Sequence, residues 1–227
     1  MIAGLLPPGS VTVVATAADD ARALAELPAV ERGLIADAVA KRQLEFAGAR
    51  RCARLALARL GRPAAAIPAG ARGAPSWPAG VVGSITHCAG LRAAAVAQAH
   101  WLPAIGIDAE PRGPLPGGVL PLVAGPVERE QLARLPAGLP WDRVLFCAKE
   151  AVFKAWFPLT GRGLAFTEAE VRFEAGGAGT GRFRAELLIE SGLVDGRPLT
   201  GFDGRYRVTE QFVLAAVALI SQDCARQ

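Results

Sequence analysis

The chain has 227 residues, 52% of them hydrophobic and 20% charged, with a formal net charge of +4. That balance belongs to a globular protein and excludes extended disorder. The length suits one large domain or two smaller ones sharing an interface.

In chain order, Met1 to Pro8 is apolar, but no basic region precedes it and Pro7 and Pro8 break it, so a signal peptide is not expected. The β-branched run Val11 to Thr16 predicts a short strand, and helical stretches follow near 19 to 35. A longer helix is expected over 37 to 60, with Leu44, Gly48, Cys52 and Leu55 on one stripe and Arg50 and Arg54 on another side. Between 41 and 72, Lys41, Arg42, Arg50, Arg51, Arg54, Arg59, Arg62 and Arg72 face only Glu45, which reads as a solvated basic face or as an anion-binding one. Interleaved aromatics and groove-reading motifs are lacking, which argues against nucleic acid. Pro63, Pro68, Pro75 and Pro78 with several glycines predict a loop wandering over the surface from 61 to 80.

Strands are expected near 81 to 86, 91 to 98 and 104 to 110; a proline-glycine cluster at 111 to 126, a short helix and a stronger helix over 141 to 157 come next. Further strands are expected near 168 to 174, 182 to 190, 204 to 208 and 212 to 220. The last is nearly all apolar and reads as a central strand, and it is about half the length of a bilayer span. Cys52, Cys88, Cys147 and Cys224 lack CxxC or zinc-ligand spacing and read as reduced, buried thiols. A soluble, cytoplasmic α+β protein of two lobes follows, the second lobe starting near 105.

Three segments carry candidate chemistry. In Ile105-Gly106-Ile107-Asp108-Ala109-Glu110, strand alternation sends both carboxylates to one face. Two acids so close suit a hard divalent cation, or else a solvated strand end. Glu150 and Lys154 stand one helical turn apart, a spacing that also makes an ordinary surface ion pair. Against that reading, the chain has only three lysines among twenty-two arginines, and Lys149 and Lys154 share this stretch. A lysine can follow a phosphate or exchange a proton where an arginine cannot. His87 ends a predicted strand beside Thr86, as a structural donor or as an anion contact.

The stretches EFAGARRCA (45 to 53), RGAPSWP (72 to 78), GVVGSITHCAG (80 to 90), GIDAEP (106 to 111) and WDRVLFCAKEAVFKAWFPLTGRGLAF (141 to 166) occur in one order. In them the chain resembles the larger, monomeric class of 4′-phosphopantetheinyl transferases, that of the surfactin-synthetase activator and enterobactin synthetase component D, and most of all its actinobacterial members. The resemblance implies a pseudo-dimer of two similar α+β lobes, 1 to 104 and 105 to 227, with coenzyme A and Mg²⁺ (Mn²⁺ as an alternative) in the cleft between them. It further implies that Arg42, Arg50 and the loop Arg72, Gly73, Ala74 and Pro75 hold the adenosine and phosphates, while Thr86 and His87 close on the 3′-phosphate region. Asp108, Glu110 and the Ala109 carbonyl would coordinate the metal, Glu150 would touch it and act as base, and Leu164 would line the far end of the pocket. Lys154 would neutralise or protonate the departing phosphate, and Lys149 would hold the pyrophosphate.

The implied partner is an apo acyl carrier protein or peptidyl carrier domain, served by a monomer that needs neither nucleic acid nor membrane. Two rival readings are a non-catalytic coenzyme A or nucleotide-binding module, and a carrier-docking protein that uses an apolar surface around Trp156 and Phe157.

Overall fold

Alanine-rich strands and the small residues of one long helix let layers of this protein approach closely. The computed structural model describes residues 2–194 and 196–221. After a 3-10 turn at Ile2–Leu5, strand β1 (Val11–Ala15) leads to the short helices α1 (Asp20–Ala25) and α2 (Ala29–Arg32) and then to the 20-residue α3 (Ala40–Arg59). Strands β2 (Val81–Cys88) and β3 (Leu91–Gln98) complete an antiparallel sheet in the order β1-β3-β2. Strand β4 (Ala104–Pro111) belongs to a second sheet; α4 (Leu120–Val123), α5 (Pro126–Arg134) and the 20-residue α6 (Trp141–Thr160) follow it.

Next come β5 (Ala169–Ala175), β6 (Thr180–Leu187), the small hairpin β7 (Leu193–Val194) and β8 (Arg197–Pro198), β9 (Gly201–Val208) and β10 (Phe212–Leu219). The second sheet is antiparallel, in the order β4-β10-β9-β6-β5. The fold is α+β with two similar lobes, each an antiparallel sheet carrying one long helix.

Strand alternation explains the layering. Ala94 and Val96 of β3 pack with Ala53, Ala56 and Leu57 of α3. Ala93, Ala95 and Ala97 turn the other way, onto Ile105 and Ile107 of β4 and Leu214 and Ala216 of β10. The opposite face of the second sheet, with Val213, Ala215 and Val217, packs under α6. Thus β3 is buried on both faces, and the sheets lie back to back between the two long helices.

An edge strand leaves backbone N–H groups unpaired. Here β2 covers them: the Ile107 and Ala109 amides of β4 donate to Ser84 Oγ (3.1 Å) and Thr86 Oγ1 (3.2 Å). On the helix side, Gly106 permits the closest contact in the second lobe. A Cβ there would lie 1.8 Å from the Ala151 carbonyl oxygen, so the α6 backbone rests directly on β4.

Several expectations change. The helical stretches expected near 19 to 35 are short and meet at Pro28, which precedes α2. Leu55 is 36% exposed and leaves the predicted stripe, whose Gly48 and Cys52 are buried together with Ala47, Ala53 and Ala56. The 61 to 80 loop is pinned rather than wandering: Ile67 is buried, its amide donates to Glu31 Oε1 (2.6 Å), and its carbonyl accepts from Arg50. Strand β10 is interior, between β4 and β9, as its apolar run predicts. Cys52, Cys88 and Cys147 are free and buried, and Cys224 lies outside the described residues. Among the described residues, no helix is long and apolar enough to cross a membrane.

Candidate active site between the lobes

The strand pattern of β4 sends Gly106, Asp108 and Glu110 toward α6. Because α6 touches β4 at Gly106, a helical residue one turn past Glu150 arrives above Asp108. Lys154 Nζ lies 2.6 Å from Asp108 Oδ1, and the Thr86 hydroxyl donates to the same oxygen at 3.0 Å. Burial works against the Lys154 charge, but the charge of Asp108 and the hydrogen bond to it outweigh that and hold the ammonium above its ordinary pKa. Asp108 is buried, and its second oxygen, Oδ2, has no hydrogen-bond partner. An orphaned carboxylate oxygen in a low-dielectric setting is costly unless something positive comes to it.

Glu110 Oε2 accepts from Arg143 Nη1 at 3.0 Å, and Arg143 also donates to the carbonyls of Gly113 and Pro114. Asp142 Oδ2 accepts from the Leu115 amide at 2.8 Å, so the first turn of α6 fixes the loop leaving β4. Burial and then the Asp108 charge push the Glu110 carboxyl above its ordinary pKa, against the pull of Arg143. Glu150 is raised in the same way, first by burial and then by Asp108; Lys154 opposes and Glu110 adds. The three carboxylates therefore feel one another. Among the described residues, no three His, Cys, Asp or Glu side chains gather closely enough to enclose a metal ion. Lys154 and Arg143 are the cations that face Asp108 and Glu110.

A cavity of ≈ 270 Å³ opens beside this cluster, walled by Arg42, Arg50 and Arg72 to Pro75 of the first lobe, by Ser84 and His87 of β2, and by Phe153 and Lys154 of α6. Arg50 is held under the cavity floor, with its guanidinium 4.8 Å from the Phe46 ring centroid. Arg72 adopts φ 53°, a left-handed conformation unusual outside glycine, at the rim. His87 Nε2 lies 2.5 Å from Arg42 Nη1, and Nδ1 faces Glu45 at 3.8 Å. Burial, then the Arg42 charge, pushes the His87 pKa down to about 4. The ring is neutral, and with Arg42 donating to Nε2 the proton belongs on Nδ1.

A second cavity of ≈ 180 Å³ is lined by Lys149, Glu150, Phe153, Leu164, Ala165, Phe166 and Ala169. Phe153 lines both cavities, so Leu164 stands beside Glu150 in the second rather than at the far end of the first.

Most of the residues singled out by sequence lie in or beside these two cavities; besides Leu164, Thr86 and Lys149 do not take the expected place. Thr86 is buried against Asp108 and does not line the arginine-walled cavity. Lys149, expected to hold a pyrophosphate, is 3% exposed and donates to Glu128 Oε2 (2.8 Å), Val123 O (2.8 Å) and Phe166 O (2.7 Å), which occupies all three ammonium hydrogens. Trp156 and Phe157, which the rival docking reading would need at the surface, are 0% and 7% exposed. Sequence reasoning missed Arg143, one helical turn before Cys147, and Glu31, whose buried carboxylate binds Arg54 and the Ile67 amide. The isolated Ile67 within a proline-rich loop was the one sign that this loop is anchored.

Comparison with known proteins gives the class. The family described as 4′-phosphopantetheinyl transferase N-terminal domain matches residues 30–97, and the 4′-phosphopantetheinyl transferase superfamily matches residues 104–208. The chain is 54% identical over 193 residues to the 4′-phosphopantetheinyl transferase Npt of Nocardia iowensis, covering 83% of this chain and 87% of that one. It is 53% identical over 224 residues to Svp of Streptomyces mobaraensis, covering 96% and 89%, and 51% identical over 191 residues to PptT of Mycobacterium tuberculosis, covering 83% and 84%. Both are also named as 4′-phosphopantetheinyl transferases. The chain belongs to the 4′-phosphopantetheinyl transferase superfamily and is close to its actinobacterial members.

Proposed function

We propose that this protein transfers the 4′-phosphopantetheine arm of coenzyme A to a serine of an apo acyl or peptidyl carrier protein, as a member of the larger, surfactin-synthetase-activating class. The observation that carries the reading is the Lys154–Asp108 pair: Lys154 reaches the cavity walled by Arg42, Arg50 and Arg72, while Glu150, one helical turn before it, opens on the neighbouring cavity across Phe153. The cationic wall suits the phosphates of coenzyme A, with Arg42 and Arg72 at the rim, Arg50 at the floor and Gly73 to Pro75 offering backbone. His87, neutral and held by Arg42, would turn toward the 3′-phosphate.

A divalent cation fits the acidic side. Mg²⁺ needs only one or two carboxylates when substrate phosphates and waters complete its shell. Asp108 Oδ2 is buried and unpartnered, and Glu110 shares its strand face. Asp108 and Glu110, with the Ala109 carbonyl and with Glu150 alongside, would hold Mg²⁺ or Mn²⁺. When bound, the metal supplies positive charge to the diphosphate.

In the reaction the serine Oγ forms a bond to the β-phosphorus, the bond from that phosphorus to the bridging oxygen breaks, and 3′,5′-ADP departs. Glu150, its pKa lifted, accepts the serine proton. Lys154 compensates charge on the departing phosphate by a short ammonium contact, and positioning with cationic stabilisation supplies most of the acceleration.

The test incubates the protein with coenzyme A, Mg²⁺ and an apo carrier protein and follows carrier mass. Gain of one phosphopantetheine supports transfer, whereas binding of coenzyme A without that gain identifies a non-catalytic module. Replacing Glu150 by Gln should slow transfer by about 10²–10⁴-fold while coenzyme A still binds. Equal rates for the variant and wild type would take the base role from Glu150. The docking-protein reading loses its surface, since Trp156 and Phe157 are core.

A further inference from the structure

The three lysines of this chain differ in setting: Lys41 is exposed, Lys154 faces the cleft, and Lys149 is buried in the second lobe. Each acceptor of Lys149 belongs to a different segment. Val123 O closes α4, Glu128 lies in α5, and Phe166 O begins the 3-10 turn Phe166–Glu168. Glu128 binds onward, taking the Gly125 amide at 2.8 Å on Oε2 and the Val171 amide of β5 at 2.8 Å on Oε1. One buried pair thus ties α4, α5, β5 and the turn after α6 to α6 itself, at the residue preceding Glu150.

That turn is the wall of the cavity holding Glu150. Leu164, Ala165 and Phe166 line it, the Ala165 amide is fixed by Glu168 Oε2 at 2.7 Å, and the Phe166 ring packs 5.9 Å from that of Phe146 on α6. A buried ion pair contributes little net stability, but it specifies one arrangement of the groups around it, since each partner is satisfied in only one geometry. An ammonium with all three hydrogens engaged has none left for a phosphate.

We infer that Lys149 and Glu128 form a positioning pair that sets the Leu164–Phe166 wall against Glu150, and that Lys149 does not touch the diphosphate. The inference rests on the transfer reading for its kinetic consequence, but not for its structural one.

The first experiment needs no variant. Reductive methylation of the native protein, read by peptide mass spectrometry with and without coenzyme A, compares the three lysines. Lys41 should react, and Lys149 should stay unmodified until the protein is denatured, whether or not coenzyme A is present. Reaction of Lys149 in the free protein, with protection by coenzyme A, would overturn the inference. The second experiment uses Lys149→Met and the milder Glu128→Gln. Both should lower kcat at least about tenfold, leave KM for coenzyme A within about threefold, and speed amide exchange across residues 164 to 166. A KM raised about tenfold in Lys149→Met, with Glu128→Gln unchanged in rate and exchange, would mean that Lys149 is a ligand for the phosphate. Failure of the wild type to load a carrier would remove the transfer reading, while methylation and amide exchange would still decide the role of Lys149.

Discussion

Helices α3 and α6 have the same length of 20 residues and mirror each other across the sheets, yet they hold their functional side chains in opposite ways. Small residues bury α3, namely Ala47, Gly48, Ala49, Cys52, Ala53 and Ala56, and two of its arginines are tied down by neighbours. Arg54 pairs with buried Glu31, and Arg50 donates to the Ile67 carbonyl. By contrast, α6 fills the core with large residues such as Val144, Leu145, Val152 and Trp156, and it presents Glu150, Phe153 and Lys154 at the border between core and cleft. The first helix makes a fixed cationic wall. The second holds Glu150, its carboxyl raised by burial, and Lys154, its ammonium raised by Asp108 against burial, at the edge of the two cavities.

The largest effect should come from breaking the α6 side. Replacing Lys154 with Met removes the cation facing Asp108 and should cut carrier loading by about 10²–10³-fold in the mass assay. If loading is unchanged, the charge role proposed for α6 is wrong.

Two glycine substitutions compare the seats of the helices. In Gly106→Ala the new methyl meets the Ala151 carbonyl, which is backbone and cannot step aside. Urea unfolding should show a loss of about 3 kcal/mol, with transfer falling as α6 lifts from Asp108. In Gly48→Ala the methyl would come 2.1 Å from Asp20 Oδ1, the end of a side chain bound to Arg92. That carboxylate can turn, so a smaller loss of about 1–2 kcal/mol is expected. The reverse order would mean that α3 is the more tightly seated helix.

A further effect is one of pH. His87 has a pKa of about 4 when folded, below the ordinary histidine value of 6.5 that applies to the unfolded chain. Between those values the unfolded chain binds a proton that the folded one does not, so acid favours unfolding. The His87 contribution is complete above the unfolded pKa and is lost as pH falls toward the folded one, with a slope of at most about 1.4 kcal/mol per pH unit. In His87→Asn this slope should be absent from chemical unfolding measured across that window. An unchanged slope would show that His87 is not the group responsible.

Much of the site could be read from residues close in sequence. The alternation of 105 to 110 set the two acids on one face, and helical spacing set Glu150 and Lys154 one turn apart. What could not be read was which long-range partner each charge would meet. Lys149 sits on the same helix as Lys154, but five residues of helix rotate it away from the cleft, and its partner Glu128 carries no local signal. In the same way, eight basic residues between 41 and 72 read as an open anion-binding face, whereas Glu31 lies outside that window and takes Arg54 into the interior.

The two hydroxyls of Ser84 and Thr86 bear on how the protein can be divided. They serve β4 as a neighbouring strand would, although they come from the other half of the chain. A fragment beginning at Ala104 would carry a naked strand rim, able to pair with the same rim on another copy and so to assemble rather than stay dispersed. For this reason the first half does more than wall a cavity: it covers the open strand edge of the second, and the two halves should melt together.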